Sequence, residues 1–304
     1  MSGRPGMREA LRDGGVVLDG GLATELERRG HDLSDDLWSA RLLRDDPAEV
    51  VATHAAYFAA GARVATSASY QASFEGFAAA GLDRTEAERL LRESVRLAAR
   101  ARGAAEVDGV PRWVAASVGP YGAVLADGSE YRGDYGLSVD ALREFHRPRL
   151  EVLADAGADV LACETVPCLA EAEALVAEVD RLGVPAWLSL TCAGLRTRAD
   201  EPVQEAFALA ASSPNVLAVG VNCTAPDDVA ALVAVAAGTG LPVVVYPNSG
   251  EGWNGEARCW TGDPRFAADQ VRSWVAAGAR LVGGCCRVGP AEISAISDVL
   301  SETA

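Results

Sequence analysis

Positive charge is scarce in this chain and nowhere concentrated. Its 304 residues hold 27 Lys and Arg against 43 Asp and Glu, a formal net charge of −16, with the basic residues scattered along the whole length. No electrostatic footprint is left for a phosphate backbone or an anionic membrane face, which argues against nucleic-acid and membrane partners. No apolar run reaches the roughly 20 residues of a spanning helix, and the N-terminal MSGRPGMREALRDGG lacks the apolar segment of a secretion signal. The expectation is a soluble, cytoplasmic protein. Two motifs are missing as well: no C-x2-C pair occurs, and DGGLATELERRG after the first strand-like run lacks the G-x-G-x-x-G of dinucleotide-binding sheets.

What is present is hydrophobic. Such residues make up 49% of the chain, enough for one large core at this length. Eight short apolar or β-branched runs recur, at 16–21, 63–70, 113–120, 159–167, 186–192, 216–224, 242–250 and 280–286, and none alternates with polar residues. Strands covered on both faces read this way. Between them lie segments of helical spacing, several closed by Gly, such as PAEVVATHAAYFAAG and SVDALREFHRPRLEVLADAG; Pro148 marks a kink or break in the latter. Eight strand-helix units in sequence predict a (β/α)8 TIM barrel, one domain over residues 1–304, because crossover helices force parallel pairing and eight strands can close. The Gly-, Tyr- and Asp-rich stretch 119–137 after the third run is expected to lie across the barrel mouth.

Barrel enzymes place reactive groups at the C-terminal ends of strands. Those ends read Asp19, Tyr70, Gly119-Pro120, Glu164, Thr191-Cys192, Asn222-Cys223, Tyr246 with Asn248, and Cys285-Cys286. Cys223 ends the sixth run and Cys285 and Cys286 the eighth, so three thiols meet on one rim. That set makes three of the four ligands of tetrahedral zinc and leaves one position open, the pattern of a catalytic site. The adjacent pair is poorly placed for an unstrained disulfide, its Cα atoms being about 3.8 Å apart. Gly283 and Gly284 are expected to let the backbone approach the ion and turn sharply. Seven cysteines, an odd number in a chain without a secretion signal, favour free thiols or ligands. Cys163, Cys168, Cys192 and Cys259 each stand alone and read as small buried hydrophobes. His31, His54 and His146 read as helix or loop residues. Tyr70, Tyr121, Tyr131 and Trp253 suit either packing or an aromatic wall for a cation, and Asn222, Asn248 and Ser249 suit either capping or substrate contact.

LDGGLATELERRG, DLWSA, ASVGPYGAVLADGSEYRGDY, FHRPR, ADVLACETVP, VGVNC, VVVYPNSGE and GARLVGGCCR together resemble the homocysteine S-methyltransferases, in particular those using S-methylmethionine, over about residues 13 to 300. The resemblance implies zinc-dependent transfer of a methyl group from S-methylmethionine or S-adenosylmethionine to L-homocysteine, forming methionine. It implies Cys223, Cys285 and Cys286 as zinc ligands and catalytic groups acting through the metal, and Asp19, next to Gly20, and Glu164 as the acidic positions for the amino group. Tyr70, Asn222 and Asn248 complete the expected substrate contacts. CAGLRTRADEPVQEA after the fifth run and Arg287-Val288-Gly289-Pro290 after the paired cysteines depart from the family pattern, and GWNGEARCW is unusual. Selenocysteine or selenohomocysteine as acceptor, and a non-catalytic zinc or redox-sensing barrel, remain alternatives. No long appended arm argues for an oligomer, and a monomer suffices for this reading.

Overall fold

The computed structural model describes residues 4–33, 38–254 and 259–302. Eight parallel strands form its main sheet: β1 (Val16–Val17), β2 (Val64–Thr66), β3 (Trp113–Val118), β4 (Val160–Val166), β5 (Ala186–Leu190), β6 (Val216–Asn222), β7 (Val243–Tyr246) and β8 (Ala279–Val282). The order β1-β8-β7-β6-β5-β4-β3-β2 returns to its start. Leu18 bridges Val64 in parallel, and the Arg63 amide donates to the Val17 carbonyl at 2.8 Å. This is the expected (β/α)8 barrel. Both β4 and β6 are buried at every position, which is why their sequences run apolar without alternation.

The helices between strands start and stop where short-range chemistry directs. Side chains of Asp46, Ser73, Asp83 and Ser138 accept the amides of Glu49, Gly76, Glu86 and Ala141 as N-caps, contacts worth about 1 kcal/mol each. Gly183, with φ +67°, ends helix Leu169–Leu182 in the left-handed conformation that favours glycine. Pro148 does not break its helix, which runs unbroken over Val139–Asp155; proline forgoes one backbone bond, and packing of Phe145, Leu150 and Leu153 holds the rest.

One helix escaped the sequence reading. Met7–Asp13 lies before β1, and its Met7, Ala10 and Leu11 join Val16, Leu18, Val64, Trp113, Ala115, Trp187 and Leu281 in a core cluster inside the barrel. Trp113 Nε1 donates to the Pro5 carbonyl at 2.9 Å, so the N-terminal segment stoppers the barrel floor. A larger cluster fills the space between barrel and helices. Inside the barrel the apolar floor changes upward into polar residues: Trp187 Nε1 donates to the Tyr246 hydroxyl at 3.0 Å, that hydroxyl lies 2.6 Å from Ser189 Oγ, and Ser189 donates to Asn222 Oδ1 at 2.8 Å.

The paired strands are shorter than the apolar runs that predicted them. β1 ends at Val17 and β2 at Thr66, so Asp19, Tyr70, Cys223, Cys285 and Cys286 stand in the loops just beyond the ladder. The reason is geometric, since a residue that reaches over the mouth has to leave the alternation of a strand.

Candidate metal centre

Cys223, Cys285 and Cys286 place their sulfur atoms within 4.8 Å of one another. Cys223 follows β6 directly and holds φ +47°, a left-handed backbone that costs a side-chain-bearing residue about 1 kcal/mol or more. Thr165, at φ +58°, is another such residue lining the cavity, at an irregularity between β4 and β5. Asn222 clamps it: Asn222 Oδ1 accepts the Thr165 amide at 2.7 Å and Asn222 Nδ2 donates to Thr165 Oγ1 at 2.7 Å. The bulge after Glu164 thereby fixes the direction of that carboxylate.

The loops after β7 and β8 are laced together. The Cys285 amide donates to the Pro247 carbonyl at 2.7 Å, the Cys286 amide to Asn248 Oδ1 at 3.2 Å, and the Ser249 amide to the Cys286 carbonyl at 3.0 Å. The two glycines before the cysteines serve close packing. A Cβ on Gly283 would lie 2.6 Å from both the Asp19 carbonyl oxygen and Leu18 Cβ, and one on Gly284 would strike Val288. Neither glycine holds a positive φ, so they serve a tight approach between the β1 and β8 loops, and the sharp turn falls just after them, where Arg287 takes φ +66° and the Val288 amide donates to the Cys285 carbonyl at 3.1 Å.

Three carboxylates border the same cavity of about 140 Å³. Asp19 accepts the Thr66 amide at 2.6 Å and Thr66 Oγ1 at 2.8 Å, and burial nevertheless pushes it up to about 7, helped by the nearby charge of Glu164. Glu164 accepts the Ser117 hydroxyl and is raised to about 7, again mainly by burial. Glu130 is raised to about 7 for the same reason. Asp19 and Glu164 enter no ion pair among the described residues. A buried carboxylate without a cation is costly, and that cost shows in the raised pKa of both groups.

The thiols differ in kind from their neighbours. Burial, with a smaller push from nearby carboxylates, raises Cys163, Cys168 and Cys192 to about 12, the behaviour of inert core residues, while the side chain of Cys259 lies outside those described. In the cluster, hydrogen bonds from Cys223, Cys285 and Tyr131 pull Cys286 well below an ordinary thiol. Tetrahedral zinc bonds each sulfur at about 2.3 Å and spaces the sulfurs about 3.8 Å apart. Three sulfurs already gathered within 4.8 Å fit that requirement, with one position facing the cavity.

The chain matches the profile of the family described as homocysteine S-methyltransferase over residues 16–300. It belongs to the homocysteine S-methyltransferase family. Membership makes it a methyltransferase. Homocysteine S-methyltransferase YbgG of Bacillus subtilis (strain 168) is 46% identical over 293 residues, covering 93% of each chain. The homocysteine S-methyltransferase of Escherichia coli (strain K12) is 47% identical over 290 residues, 92% of this chain and 94% of the other. Among solved structures, the metallated form of the homocysteine methyltransferase MmuM from Escherichia coli superposes with a TM-score of 0.86 at 45% identity, covering 95% of this chain and 98% of that one.

Within this family member the cavity wall brings together Asp19, Gly20, Tyr70, Glu164, Asn222 and the three cysteines, all singled out by the sequence. It leaves two expected contacts elsewhere or already engaged. Asn248 stands behind Cys286, and Asn222 has its amide consumed by Thr165 and Ser189; both shape the site from within the protein. Tyr121 packs edge-on against Tyr135 and Phe145 at 5.3 and 5.0 Å, while Tyr131 reaches the cavity; the side chain of Trp253 lies outside those described. Ser117, Thr66, Gln71 and Glu130 were not foreseen. The first three are small polar residues inside or just after apolar strands, and only the Glu in the oversized 119–137 loop carried a signal.

That loop is braced from below by FHRPR. His146 Nε2 lies 2.8 Å from Glu171 Oε1, which also accepts the Tyr121 amide at 2.6 Å, and Arg149 bonds His146 Nδ1 at 2.9 Å and the Gly119 carbonyl. His146 is buried, and burial drives it down to about 4. His54 is buried too and pushed down to about 4, and His31 sits 3.5 Å from Glu49. None is at the thiol cluster. The segment that departs from the family forms a hairpin, Cys192–Ala193 with Arg196–Thr197, and sends Arg198 over the Tyr131 ring at 5.5 Å, its Nε donating to Thr191 Oγ1 at 3.2 Å. After the paired cysteines, Glu292 reaches back to the Gly289 amide at 2.9 Å and caps the last helix, Pro290–Glu302.

Proposed function

We propose that this methyltransferase transfers a methyl group from S-methylmethionine to the sulfur of L-homocysteine, forming methionine, with a zinc ion held by Cys223, Cys285 and Cys286. The observation that carries the reading is the gathering of three thiols within 4.8 Å beside buried carboxylates that lack a protein cation. When bound, zinc favours the thiolate form of a fourth, incoming thiol, which is otherwise mostly protonated near neutral pH because its pKa is about 8.5.

The remaining work belongs to the protein's side chains. Asp19 and Glu164 would take the ammonium group of the acceptor and fix the direction of its sulfur. Their raised pKa values describe groups that become fully ionised when that cation arrives. Tyr70 and Tyr131 form the wall against which a sulfonium can rest through cation–π attraction. Attack of the acceptor sulfur on the methyl carbon breaks the carbon–sulfur bond of the donor, whose electron pair neutralises the sulfonium. The leaving group is a neutral thioether, so no general acid is required, in keeping with the absence of histidine at the cluster. Burial of the site keeps water from the methyl group.

A storage or sensing barrel would need the thiols but no ammonium site, and the paired carboxylates favour an amino-acid pocket. The test is direct. Purified protein should carry about one zinc per chain and make methionine from homocysteine and S-methylmethionine, and Cys286→Ser should lose both. Full turnover by a zinc-free preparation would sink the reading. Running the same assay with S-adenosylmethionine ranks the donors.

A further inference from the structure

Glu130 stands apart from the other two acids of the cavity. It belongs to the loop after β3, in the 3-10 turn Ser129–Tyr131, and it is 8% exposed. It lines the cavity, yet its Oε2 is buried and accepts no hydrogen bond. The charge of Glu164 acts on Asp19, whereas neither of those acids is among the main charges acting on Glu130, which are Cys223, shared with Glu164, and Asp127 and Arg132. Arg132 is half exposed and is shared between Asp127 and Asp134 at 3.5 Å each. A carboxylate oxygen sealed from water and left without a donor is an unfilled position for an N–H group.

Two amino acids have to enter this cavity, and each brings an ammonium group. We propose that Glu130 receives the ammonium group of the methyl donor, so that acceptor and donor are sorted by two separate acidic positions. The inference rests on the functional reading above. A sulfonium carries no N–H and cannot satisfy the orphaned oxygen, which selects the donor's ammonium as its partner. The neighbouring residue supports the placement: Tyr131 lines the same cavity as Cys223, Cys285 and Cys286, so an amino acid anchored on Glu130 lies against a ring that shares the cavity with the thiol cluster. Arg198, stacked on Tyr131, holds that ring in position. Burial raises Glu130 to about 7, a state that an arriving cation reverses.

The experiment uses zinc-loaded protein and two ligands, S-methylmethionine and its analogue lacking only the amino group. Glu130→Gln keeps the shape and an acceptor oxygen but removes the charge. It should lower kcat/KM for S-methylmethionine by about 10- to 100-fold, the equivalent of one charge-assisted hydrogen bond. The inhibition constant of the des-amino analogue should change less than about 3-fold, and KM for homocysteine and zinc content should hold. Equal losses for both ligands would show Glu130 to be a loop brace and overturn the inference. So would a rise confined to the homocysteine KM, or S-methylmethionine turnover equal to wild type. Wild-type protein that uses no sulfonium donor would overturn the functional reading itself, an outcome separate from these.

Discussion

Two sets of buried carboxylates in this molecule stand in opposite surroundings. In the helical shell, Glu25 is bonded by Arg28 and Arg29 at 2.7 to 2.8 Å, and Glu178 by Arg143, Arg147 and Arg181 at 2.6 to 3.1 Å. Those guanidinium groups hold both acids below the usual carboxylate range, Glu178 at about 2, despite burial. At the barrel mouth, Asp19 meets the Thr66 amide and hydroxyl, Glu164 meets the Ser117 hydroxyl, Glu130 keeps an oxygen without a donor, and all three rise to about 7. All 27 basic residues are arginine, and arginine's rigid fork suits the shell's multidentate pairing. The shell carries its own counter-charge; at the mouth, Asp19 and Glu164 enter no ion pair among the described residues. On the proposed function, the difference separates groups that hold the fold from groups that would receive a substrate's ammonium.

The comparison breaks most visibly if a mouth carboxylate loses its charge. Asp19→Asn or Glu164→Gln should cost about 100-fold in kcat/KM for homocysteine, felt mainly in KM, as expected for loss of a buried charged hydrogen bond of roughly 2–3 kcal/mol. Steady-state kinetics with both substrates varied would show it, and an unchanged homocysteine KM would remove these residues from the ammonium site.

In the shell the same chemical change should act on stability alone. Glu178→Gln should destabilise the protein by about 1–3 kcal/mol at neutral pH and leave kcat/KM as it is. Because the folded pKa of Glu178 lies below its unfolded value, its contribution is present above about pH 4.5 and fades as pH falls toward 2. Denaturant melts at pH 7 and pH 3 would test both the size and the direction.

The mouth should show the opposite dependence. A carboxylate raised to about 7 favours the protonated form in the fold, so it burdens the metal- and substrate-free protein increasingly between about pH 4.5 and 7. Glu164→Gln should therefore raise stability by on the order of 2 kcal/mol at pH 8 and by little at pH 4.5. Equal melting curves for variant and parent at pH 8 would contradict this. The smallest effect is expected at the edge of the site. Arg198→Met should raise the donor KM about 3-fold by freeing the Tyr131 ring, a cation–π contact at a half-exposed site being worth about 0.5–1 kcal/mol, with kcat little changed.

Much of this was legible before any coordinates. Eight apolar runs separated by helical segments pointed to a parallel sheet covered on both faces, and the missing G-x-G-x-x-G favoured a closed barrel over an open doubly wound sheet. Cys223, Cys285, Cys286, Asp19 and Glu164 were visible because the fold places strand ends on one rim, and all five border one cavity. Other features were illegible for physical reasons. Helix Met7–Asp13 buries Met7, Ala10 and Leu11 at helical spacing, but its seven residues make too few turns for that pattern to stand out in the sequence. Asn248 and Asn222 have chemistry suited to a ligand, yet their partners are backbone and side-chain atoms far off in the chain.

The sequence by itself determined the barrel, its rim and the identity of the three thiols, because periodicity and strand order are local properties that sum along the chain. Only the tertiary structure decided which carboxylates stand without a cation. Glu25, Glu178, Glu130 and Glu164 are the same residue type, and their roles diverge because Arg28 and Arg29 reach Glu25 one turn along its own helix and Arg143 and Arg147 of the neighbouring helix Val139–Asp155 join Arg181 on Glu178, while Glu164 meets the Ser117 hydroxyl and Glu130 keeps an oxygen without a donor.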